Sequence, residues 1–313
     1  MLRFRMEKNM KNLTLLNIAN ICNCELFCKN EELAKQEVSS IVTDNRQVIE
    51  GGMFVAIKGN RVDGHDFIES AFESGAICVL SEKKLEINKP YIFVESSLLA
   101  IKKIAEFYRK NLDIKVVGVT GSVGKTSTKE MIYSVLSQKY NTLKTEGNFN
   151  NELGLPLTIF RLRDEHEIAV LEMGISDFGE MSRLAKIAKP DVSVITNIGP
   201  CHLENLKDLS GVLKAKTEML DYVKDGGSVV LNGNDDELQK TNKKGELKYV
   251  YFYADEHSND NNGKMVFADL VESVGIKGIK CRLHYGDEEI DVFIHIPGKH
   301  MIYNALAGLC VGK

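Results

Sequence analysis

Residues 119–130 read VTGSVGKTSTKE and place two glycines and a lysine between an apolar run and a helical pattern. The full phosphate-binding loop has the form G-x-x-x-x-G-K-[ST], in which the first glycine stands five residues before the second. Counting back from Gly124, that place holds Val119. The segment is therefore a shorter G-x-x-G-K-T loop, and its flanks decide how it is interpreted.

The flanks predict a buried strand before the loop and an amphipathic helix after it. KVVGVT at 115–120 is a buried-strand run. TSTKEMIYSVLSQ at 126–138 places four apolar residues on one helical face: Met131, Ile132, Val135 and Leu136. A strand that passes through glycines into a helix directs backbone N–H groups and the helix dipole at an anion. We interpret the loop as a nucleotide site; a glycine turn with an incidental lysine is the plainer alternative.

Each residue type in the loop has a use in such a site. Gly121 and Gly124 permit the tight turn. Lys125 can reach the terminal phosphates, and the Thr126 hydroxyl can bind Mg²⁺. The predicted nucleotide-binding residues of the loop are Gly121, Ser122, Val123, Gly124, Lys125, Thr126 and Ser127.

Strand-like and helix-like segments alternate downstream of the loop, in the order IAVLEMG, GEMSRLAKIA, DVSVIT, GVLKAKTEMLDYV and GSVVLNG. This rhythm predicts a parallel sheet covered on both faces. A polar loop, DEHSNDNNGK at 255–264, then leads into alternation typical of antiparallel strands. The chain ends in a helical pattern, HMIYNALAGLCVGK.

Residues 13–112 form a separate α/β pattern. It contains the strand-like runs FVAI, ICVL and YIFV and the helix-like stretches DFIESAFESGA and LLAIKKIAEFYRKN. The predicted fold class is α/β, with an N-terminal α/β domain at 1–112 and a P-loop-type central domain at 113–313. The central domain is expected to have a mainly parallel sheet with an added antiparallel segment.

Composition narrows the class of protein. The 313 residues suffice for two domains, and 43% hydrophobic with 27% charged residues is typical of a soluble globular protein. A net charge of −4 argues against a nucleic-acid partner held through phosphates. Neither a membrane-spanning run nor a secretory signal is evident, and no pattern demands an oligomer, so we expect a cytoplasmic monomer.

Three of the seven cysteines are clustered in CNCELFC at 22–28. Such a cluster can suggest a metal, but a fourth ligand at zinc-like spacing is absent from the sequence. Reduced thiols in a cytosolic protein are the better interpretation.

The loop and five further segments resemble the Mur ligase family, in the family's order. The family's ATP loop has the form TGxxGKT and omits the early glycine, so Val119 is a family trait. The further segments are TEGNFNNELGLP, LEMGISDFGEM, ITNIGPCHLENL, LKAKTEML and GKHMIYNALAG. TDNRQVIEGGMFVAIKGNRVDGHDFIESA at 43–71 resembles the N-terminal domain of those members that add D-Ala-D-Ala.

The resemblance implies an ATP-dependent amide-bond ligase of peptidoglycan precursor synthesis. ATP phosphorylates a UDP-linked carboxylate, and an amine then attacks the acyl phosphate. The implied substrates are a UDP-N-acetylmuramoyl tripeptide and D-Ala-D-Ala; the third residue of the tripeptide, diaminopimelate or lysine, cannot be read from the sequence. Two alternatives stay open: another Mur-type ligase (a tripeptide synthetase or a folylpolyglutamate synthase), or a non-catalytic module that binds a nucleotide or UDP-sugar.

Four residues are expected to bind Mg²⁺ by this resemblance: Thr126, Glu172, His202 and Lys216. Glu172 ends the strand IAVLE, where a parallel sheet presents residues to a ligand. Lys216 matches a family lysine that CO₂ carbamylates, with Lys214 as the nearby competitor. Together with Lys125 these residues form the predicted catalytic set, apart from Thr126, which is predicted to bind only the metal. The plainer interpretations are a helix-capping acid, a packed histidine and an exposed lysine.

Further residues are assigned to the ligands. His300 and Asn304 share a helix face and match the family's adenine segment, with Met301 in place of an asparagine. The expected substrate-binding residues are Asp44, Asn45, Arg46, His65, Thr145, Asn148, Asn150 and Asn151. In TDNR, Asn45 replaces the family's serine; turns or domain structure explain these segments as well.

Mur ligases carry a third, Rossmann-like domain beyond the final helix, and nothing in this sequence supplies it. We therefore expect the chain to be a fragment or a truncated protein with little turnover by itself.

Overall fold

The chain divides into two units in the computed structural model, which describes residues 9–254 and 266–313. The first unit comprises the chain up to Asp113 and the segment Glu152–Asp164; the second comprises Ile114–Asn151 and Glu165–Lys313. The predicted polar loop at 255–264 lies outside the described residues. The predicted division between residues 112 and 113 does not separate out Glu152–Asp164.

The return of Glu152–Asp164 to the first unit has a structural reason. The Tyr108 hydroxyl donates a hydrogen bond of 2.7 Å to the carbonyl of Leu162. Lys102 Nζ lies 2.9 Å from Glu152 Oε1, and both side chains are largely buried. These contacts couple this segment to the first unit although it is distant in sequence.

The regular elements before residue 114 build one small sheet with helices. They are α1 Leu15–Cys22, β1 Glu25–Phe27, α2 Glu31–Ala34, β2 Ile41–Val42, β3 Gly52–Val55, α3 Ile68–Glu73, β4 Ala76–Ser81, β5 Tyr91–Phe93 and α4 Ser97–Lys110, with short 3-10 helices at Asn45–Gln47 and Gly64–Phe67. The strand order is β1-β5-β4-β3-β2, parallel except for β1. The three predicted apolar runs correspond to β3, β4 and β5.

The regular elements after residue 113 build a larger sheet. They are β6 Lys115–Thr120, α5 Lys125–Leu136, β7 Thr142–Lys144, α6 Gly154–Ile159 (which belongs to the first unit), β8 Ile168–Glu172, α7 Glu180–Ala188, β9 Val192–Ile195, α8 Leu203–Leu206, α9 Leu209–Thr217, β10 Ser228–Asn232, α10 Asp236–Gln239, β11 Lys248–Tyr253, β12 Val266–Ser273, β13 Ile279–Tyr285, β14 Glu288–Ile294 and α11 Met301–Gly312, with 3-10 helices at Glu218–Tyr222 and Gly275–Lys277.

This nine-stranded sheet has the order β14-β13-β12-β11-β10-β9-β6-β8-β7. Strands β6 to β12 pair in parallel, whereas β12, β13 and β14 pair antiparallel. The predicted α/β class, with a mainly parallel sheet and an added antiparallel segment, is confirmed. The predicted helix over 211–223 differs in detail, because α9 ends at Thr217 and a 3-10 helix follows.

The core of the second unit lies under β6, β8 and helices α5 and α11. Val117 and Val119 of β6, Ile132 of α5 and Leu306 of α11 belong to one buried cluster. Of the four predicted apolar positions on α5, Ile132 and Leu136 are buried, whereas Met131 is half-buried and Val135 is exposed.

The register of the central strands positions the candidate site. β6 lies between β8 and β9, with Val119 opposite Glu172 and Thr120 opposite Ile195. Because all three strands are parallel, their carboxyl ends meet at one edge of the sheet. The glycine loop, Glu172 and the segment after β9 therefore lie together.

In the described parts of the chain, no helix is both long enough and apolar enough to cross a membrane.

Candidate nucleotide and metal site

The glycine loop connects β6 directly to α5. Gly121 has φ +151° and Gly124 has φ +78°, backbone angles that L-residues with a side chain rarely adopt. A Cβ atom on Gly121 would lie 1.9 Å from Thr196 Oγ1. Both glycines are therefore required by the backbone, as the sequence predicted.

Asn197 and Thr196 fasten the loop. The Ser122 N–H donates to the Asn197 carbonyl (3.0 Å), and the Val123 N–H donates to Asn197 Oδ1 (3.0 Å). The Thr196 hydroxyl donates to the Val123 carbonyl at 2.7 Å. These two loop N–H groups bind Asn197, whereas the N–H groups of the first turn of α5 have no intrahelical acceptor and can bind an anion.

The Ser122 side chain joins the loop to the segment after β9. Its hydroxyl donates to the Gly199 carbonyl and accepts from the Gly199 N–H, both at 2.9 Å. The Cys201 thiol donates to the same hydroxyl at 3.3 Å. The residue before His202 is therefore held against the glycine loop.

Lys125 lies over the loop that precedes it. Its Nζ atom donates to the carbonyls of Gly121 (2.9 Å) and Ser122 (3.2 Å). An ammonium group has three donors, so the lysine can contact a phosphate while it keeps part of this arrangement.

Glu172 and Thr126, two of the four predicted Mg²⁺ ligands, are in contact. The Glu172 side chain is buried, and its Oε1 accepts from Asn150 Nδ2 (2.8 Å) and from the Thr126 hydroxyl (3.3 Å). Glu172 Oε2 is buried and has no hydrogen-bond donor among the described residues. Its nearest cation is Lys129 Nζ, at 3.7 Å.

These two residues fit a magnesium ion. Mg²⁺ prefers hard oxygen ligands and is commonly held by one or two protein oxygens together with phosphates and water. A hydroxyl and a carboxylate that has an unused buried oxygen offer such a donor set, although the described His, Cys, Asp and Glu side chains form no group of three or more that could hold a metal ion.

His202 and Lys216 differ in their surroundings. His202 has a left-handed backbone, φ +49°, immediately before α8; its side chain is 46% exposed and its Nδ1 lies 4.0 Å from Glu204 Oε1. Lys216 is buried on α9 and forms no ion pair in the described part of the chain. Burial lowers the pKa of the Lys216 ammonium to about 8, the Cys201 thiol opposes this shift, and the charge of Lys125 adds to it.

The two predicted adenine residues lie at the start of the last helix. Asn304 is buried, and its Oδ1 accepts from the Thr128 hydroxyl on α5 at 2.8 Å. Asn304 Nδ2 donates to Met301 Sδ at 3.3 Å, so the replacement of asparagine by Met301 provides a buried sulfur contact. His300 is exposed directly before α11.

Thr145 and Asn150 support Glu172 from the predicted substrate segment. The Thr145 hydroxyl accepts from the Glu172 N–H at 3.0 Å, and the Asn150 carbonyl accepts from the Gly174 N–H at 2.8 Å. Asn148 and Asn151 are exposed in the same turn. The turn therefore connects the predicted substrate residues to the predicted metal ligand.

In the first unit, Asp44 and Arg46 form a bidentate pair. Arg46 Nε donates to Asp44 Oδ1 (2.9 Å) and Nη2 donates to Oδ2 (2.7 Å), and this bonding lowers the pKa of Asp44. The Arg46 side chain is 83% exposed. Asn45 Nδ2 donates to the Ser70 hydroxyl at 3.1 Å.

His65 is almost entirely buried in a local network. Its Nδ1 lies 2.6 Å from Asp63 Oδ1, and its Nε2 accepts from the Glu82 N–H at 3.1 Å. With Nε2 as acceptor, the neutral ring carries its proton on Nδ1. These contacts favour the structural interpretation of His65; its role in substrate binding stays a prediction.

Sequence reasoning missed Lys129 and Asn197. Lys129 lies four residues after Lys125, and its side chain is 2% exposed. A lysine on the buried face of a predicted amphipathic helix is a signal that could have identified it. Asn197 fastens the loop through its backbone and side chain, and only its position after a strand pointed to it.

The mainly parallel sheet, with a strand, glycine loop and helix at its carboxyl edge, defines the P-loop-type class of α/β proteins. Comparison with known proteins gives the family. Residues 119–312 match the Mur ligase middle domain, and residues 37–122 match the Mur ligase family catalytic domain. The chain belongs to the Mur ligase family.

Individual relatives agree with this result. A UDP-N-acetylmuramoyl-tripeptide–D-alanyl-D-alanine ligase from Bacillus subtilis is 36% identical over 307 residues, covering 96% of this chain and 63% of that protein. The crystal structure of MurF from Acinetobacter baumannii has a TM-score of 0.81 and 29% identity, covering 95% of this chain and 64% of that one. MurF from Thermotoga maritima in complex with ADP has a TM-score of 0.75 and 33% identity, covering 87% and 62%. The chain thus spans less than two thirds of the length of these relatives.

Proposed function

We propose that the chain carries the first two domains of an ATP-dependent amide-bond ligase that adds D-Ala-D-Ala to a UDP-N-acetylmuramoyl tripeptide. One observation carries this proposal: the Thr126–Glu172 contact at the carboxyl edge of the sheet, beside the glycine loop and Lys125. The name of the relative in Bacillus subtilis supports the choice of substrates.

The residues act mainly by neutralising and placing anions. The first turn of α5 and Lys125 hold the terminal phosphates of ATP near the substrate carboxylate. Thr126 and Glu172 hold Mg²⁺, with His202 and Lys216 as further ligands; the ion would reduce repulsion between the phosphates and the carboxylate. His300 and Asn304 are assigned to the adenine end of the nucleotide.

Carbamylation of Lys216 is supported by its surroundings. Only a neutral amine reacts with CO₂. With a pKa of about 8, the Lys216 amine is neutral in roughly a tenth of the molecules at pH 7. At the usual lysine pKa the neutral fraction is several hundredfold smaller. The product is an anion, which suits a buried position beside Mg²⁺.

The UDP-muramoyl substrate is assigned to Asp44, Asn45, Arg46, His65, Thr145, Asn148, Asn150 and Asn151. The guanidinium of Arg46 is exposed although it pairs with Asp44, and within the second unit Asn150 donates to Glu172. We further propose a cytoplasmic monomer; free thiols at all seven cysteines agree with a reducing compartment.

Phosphate release tests the proposed reaction. The chain and a form extended to the length of its relatives are incubated with ATP, Mg²⁺, UDP-muramoyl peptides and candidate amines. We expect release that requires both the tripeptide substrate and D-Ala-D-Ala in the extended form, with much slower turnover in the chain alone. Release with glutamate or lysine, and none with D-Ala-D-Ala, would indicate another Mur-type ligase; nucleotide binding without release in either form would indicate a binding module.

A further inference from the structure

Lys129 is a buried cation that the proposed reaction does not yet use. Its side chain is 2% exposed, and its Nζ donates to the Thr145 carbonyl at 2.8 Å. The same atom lies 3.2 Å from Glu130 Oε1 and 3.7 Å from Glu172 Oε2. Lys129 therefore faces Oε2 of Glu172, the carboxylate oxygen that accepts no hydrogen bond from the described residues.

Lys129 belongs to a row of four charged side chains that alternate in sign. Glu172 is followed by Lys129, then by Glu130, and Glu130 pairs with Lys144. The row therefore has no net charge, and its first two members, Glu172 and Lys129, are almost fully buried. An isolated buried charge is costly, so Lys129 and Glu172 stabilise each other in the folded chain.

We propose that Lys129 is a positioning residue, the resident counter-ion of Glu172 that sets the Mg²⁺ affinity of the site. This inference rests on the proposed metal role of Glu172. Lys129, which donates to the Thr145 carbonyl, faces Oε2 of the carboxylate and balances its charge. The other carboxylate oxygen, Oε1, accepts from Asn150 and Thr126. A divalent cation that binds Glu172 then meets an ammonium group already in place, which opposes its approach.

The proposal has a definite sign. Replacement of Lys129 by an uncharged residue leaves the row with a net charge of −1, so Mg²⁺ binds more tightly while the metal-free protein becomes less stable. A purely structural lysine would lower stability without tightening the binding of the metal. The direction of the Mg²⁺ effect therefore distinguishes the two roles.

Calorimetric titration of the chain with the β,γ-methylene analogue of ATP, across a series of Mg²⁺ concentrations, measures this effect. At any one Mg²⁺ concentration, the association of Mg²⁺ with the free analogue is the same for every variant. Differences between variants therefore come from the protein. For Lys129→Met we expect the Mg²⁺ concentration at half-maximal binding to fall about three- to tenfold. Tm without Mg²⁺ is expected to fall as well.

Three further variants separate charge from packing. Lys129→Arg keeps the charge and is expected to stay within about twofold of the parent chain. Glu130→Gln leaves the row with a net charge of +1, and because Glu130 is half exposed we expect a shift of about twofold toward higher Mg²⁺. Lys102→Met removes a largely buried ion-paired lysine from the first unit and should leave the Mg²⁺ dependence unchanged.

An unchanged or higher Mg²⁺ requirement in Lys129→Met overturns the proposal, as does an equal shift in Lys129→Arg. If Lys129→Met does not fold, Glu130→Gln decides, and an unchanged requirement there overturns it. Glu172→Gln separates this inference from the proposed function. If its Mg²⁺ dependence equals that of the parent chain, the metal assignment fails together with the inference; if it loses the dependence while Lys129→Met shows no shift, only the role of Lys129 fails.

Discussion

At the residue scale, Gly121 is the place where the loop leaves no room for a side chain. Gly121→Ala combines φ +151° with a Cβ 1.9 Å from Thr196 Oγ1, so we expect a loss of about 2 kcal/mol or more in unfolding free energy. Urea denaturation measures it. Gly147→Ala is the matched control, because Gly147 has φ +49° and open space around a Cβ, and it should cost about 1 kcal/mol. Equal costs would contradict the close contact with Thr196.

Lys216 predicts an unusual dependence of stability on pH. Its pKa is lowered from 10.5 to about 8 in the folded chain, mainly by burial, so the unfolded chain binds more protons between these values. The free energy of unfolding therefore rises with pH across this window. Below pH 8 it is reduced by the full cost of keeping the buried Lys216 ammonium charged. In CO₂-free buffer we expect Lys216→Met to be about 2 kcal/mol more stable than the parent at pH 7, with the difference shrinking toward pH 10.

Denaturation at pH 7 and pH 10 checks this expectation. Lys214→Met is the control, since Lys214 is exposed on the same helix and is the other lysine of the segment that resembles the family's carbamylation site. A Lys216→Met chain with the pH dependence of the parent, or a Lys214→Met chain that loses it, would contradict the assignment.

Residues whose role follows from local geometry were predictable from the sequence. Gly121 and Gly124 are required by a turn of a few residues, and the place of Glu172 at the end of a strand follows from the run IAVLE. The helix face of Lys129 indicates that it is buried, but its contact with Glu172 and that of Asn197 with Val123 were not predictable, because these pairs are 43 and 74 positions apart. Such contacts depend on strand order, which residue patterns do not specify.

At the scale of the element, α11 covers the parallel sheet beside α5, the helix that follows the glycine loop. Leu306 is fully buried in this core, whereas Leu309 on the same helix is only partly buried. We expect Leu306→Ala to lower the unfolding free energy by about 2–5 kcal/mol and Leu309→Ala by about 1 kcal/mol, because only the first leaves a closed cavity. Chemical denaturation compares the two. Similar losses would indicate that α11 is not packed as described.

The elements also show where sequence patterns lose information. Strand β6 has the same bounds, residues 115 and 120, as the run KVVGVT that predicts it. The predicted helix over 211–223 instead breaks at Thr217, and the Glu218 side chain accepts from the Gly179 and Ser182 N–H groups at the start of α7. This bond lies between residues almost forty positions apart, so helical periodicity alone carries no sign of it.

At the scale of the whole molecule, the two units were predictable, but the path of the chain between them was not. A change of pattern near residue 112 is visible in the sequence. The return of Glu152–Asp164 to the first unit depends on Tyr108 and Lys102, whose partners lie about fifty residues later. No composition shift marks that return.

The division predicts that MgATP protects only the second unit, whereas the UDP-linked substrate also protects the first. The glycine loop, Thr126 and Glu172 belong to the second unit, whereas Asp44, Arg46 and His65 belong to the first. A ligand that binds only the folded state stabilises it by about 2.7 kcal/mol at a hundredfold excess over its Kd. MgATP should therefore slow hydrogen exchange in β6, β8 and α5, and a UDP-muramoyl peptide should slow it in the 3-10 helices at Asn45–Gln47 and Gly64–Phe67.

Hydrogen–deuterium exchange followed by mass spectrometry resolves these segments. Lys125→Met is the control for the nucleotide, since it removes the proposed phosphate contact and changes no residue of the first unit. Its exchange with MgATP should match that of the free protein. Arg46→Met serves in the same way for the UDP-linked substrate. Protection of the first unit by MgATP alone, with no change in α5, would contradict the assignment of the nucleotide to the glycine loop, because the bonds to the phosphates are expected to form at the first turn of that helix.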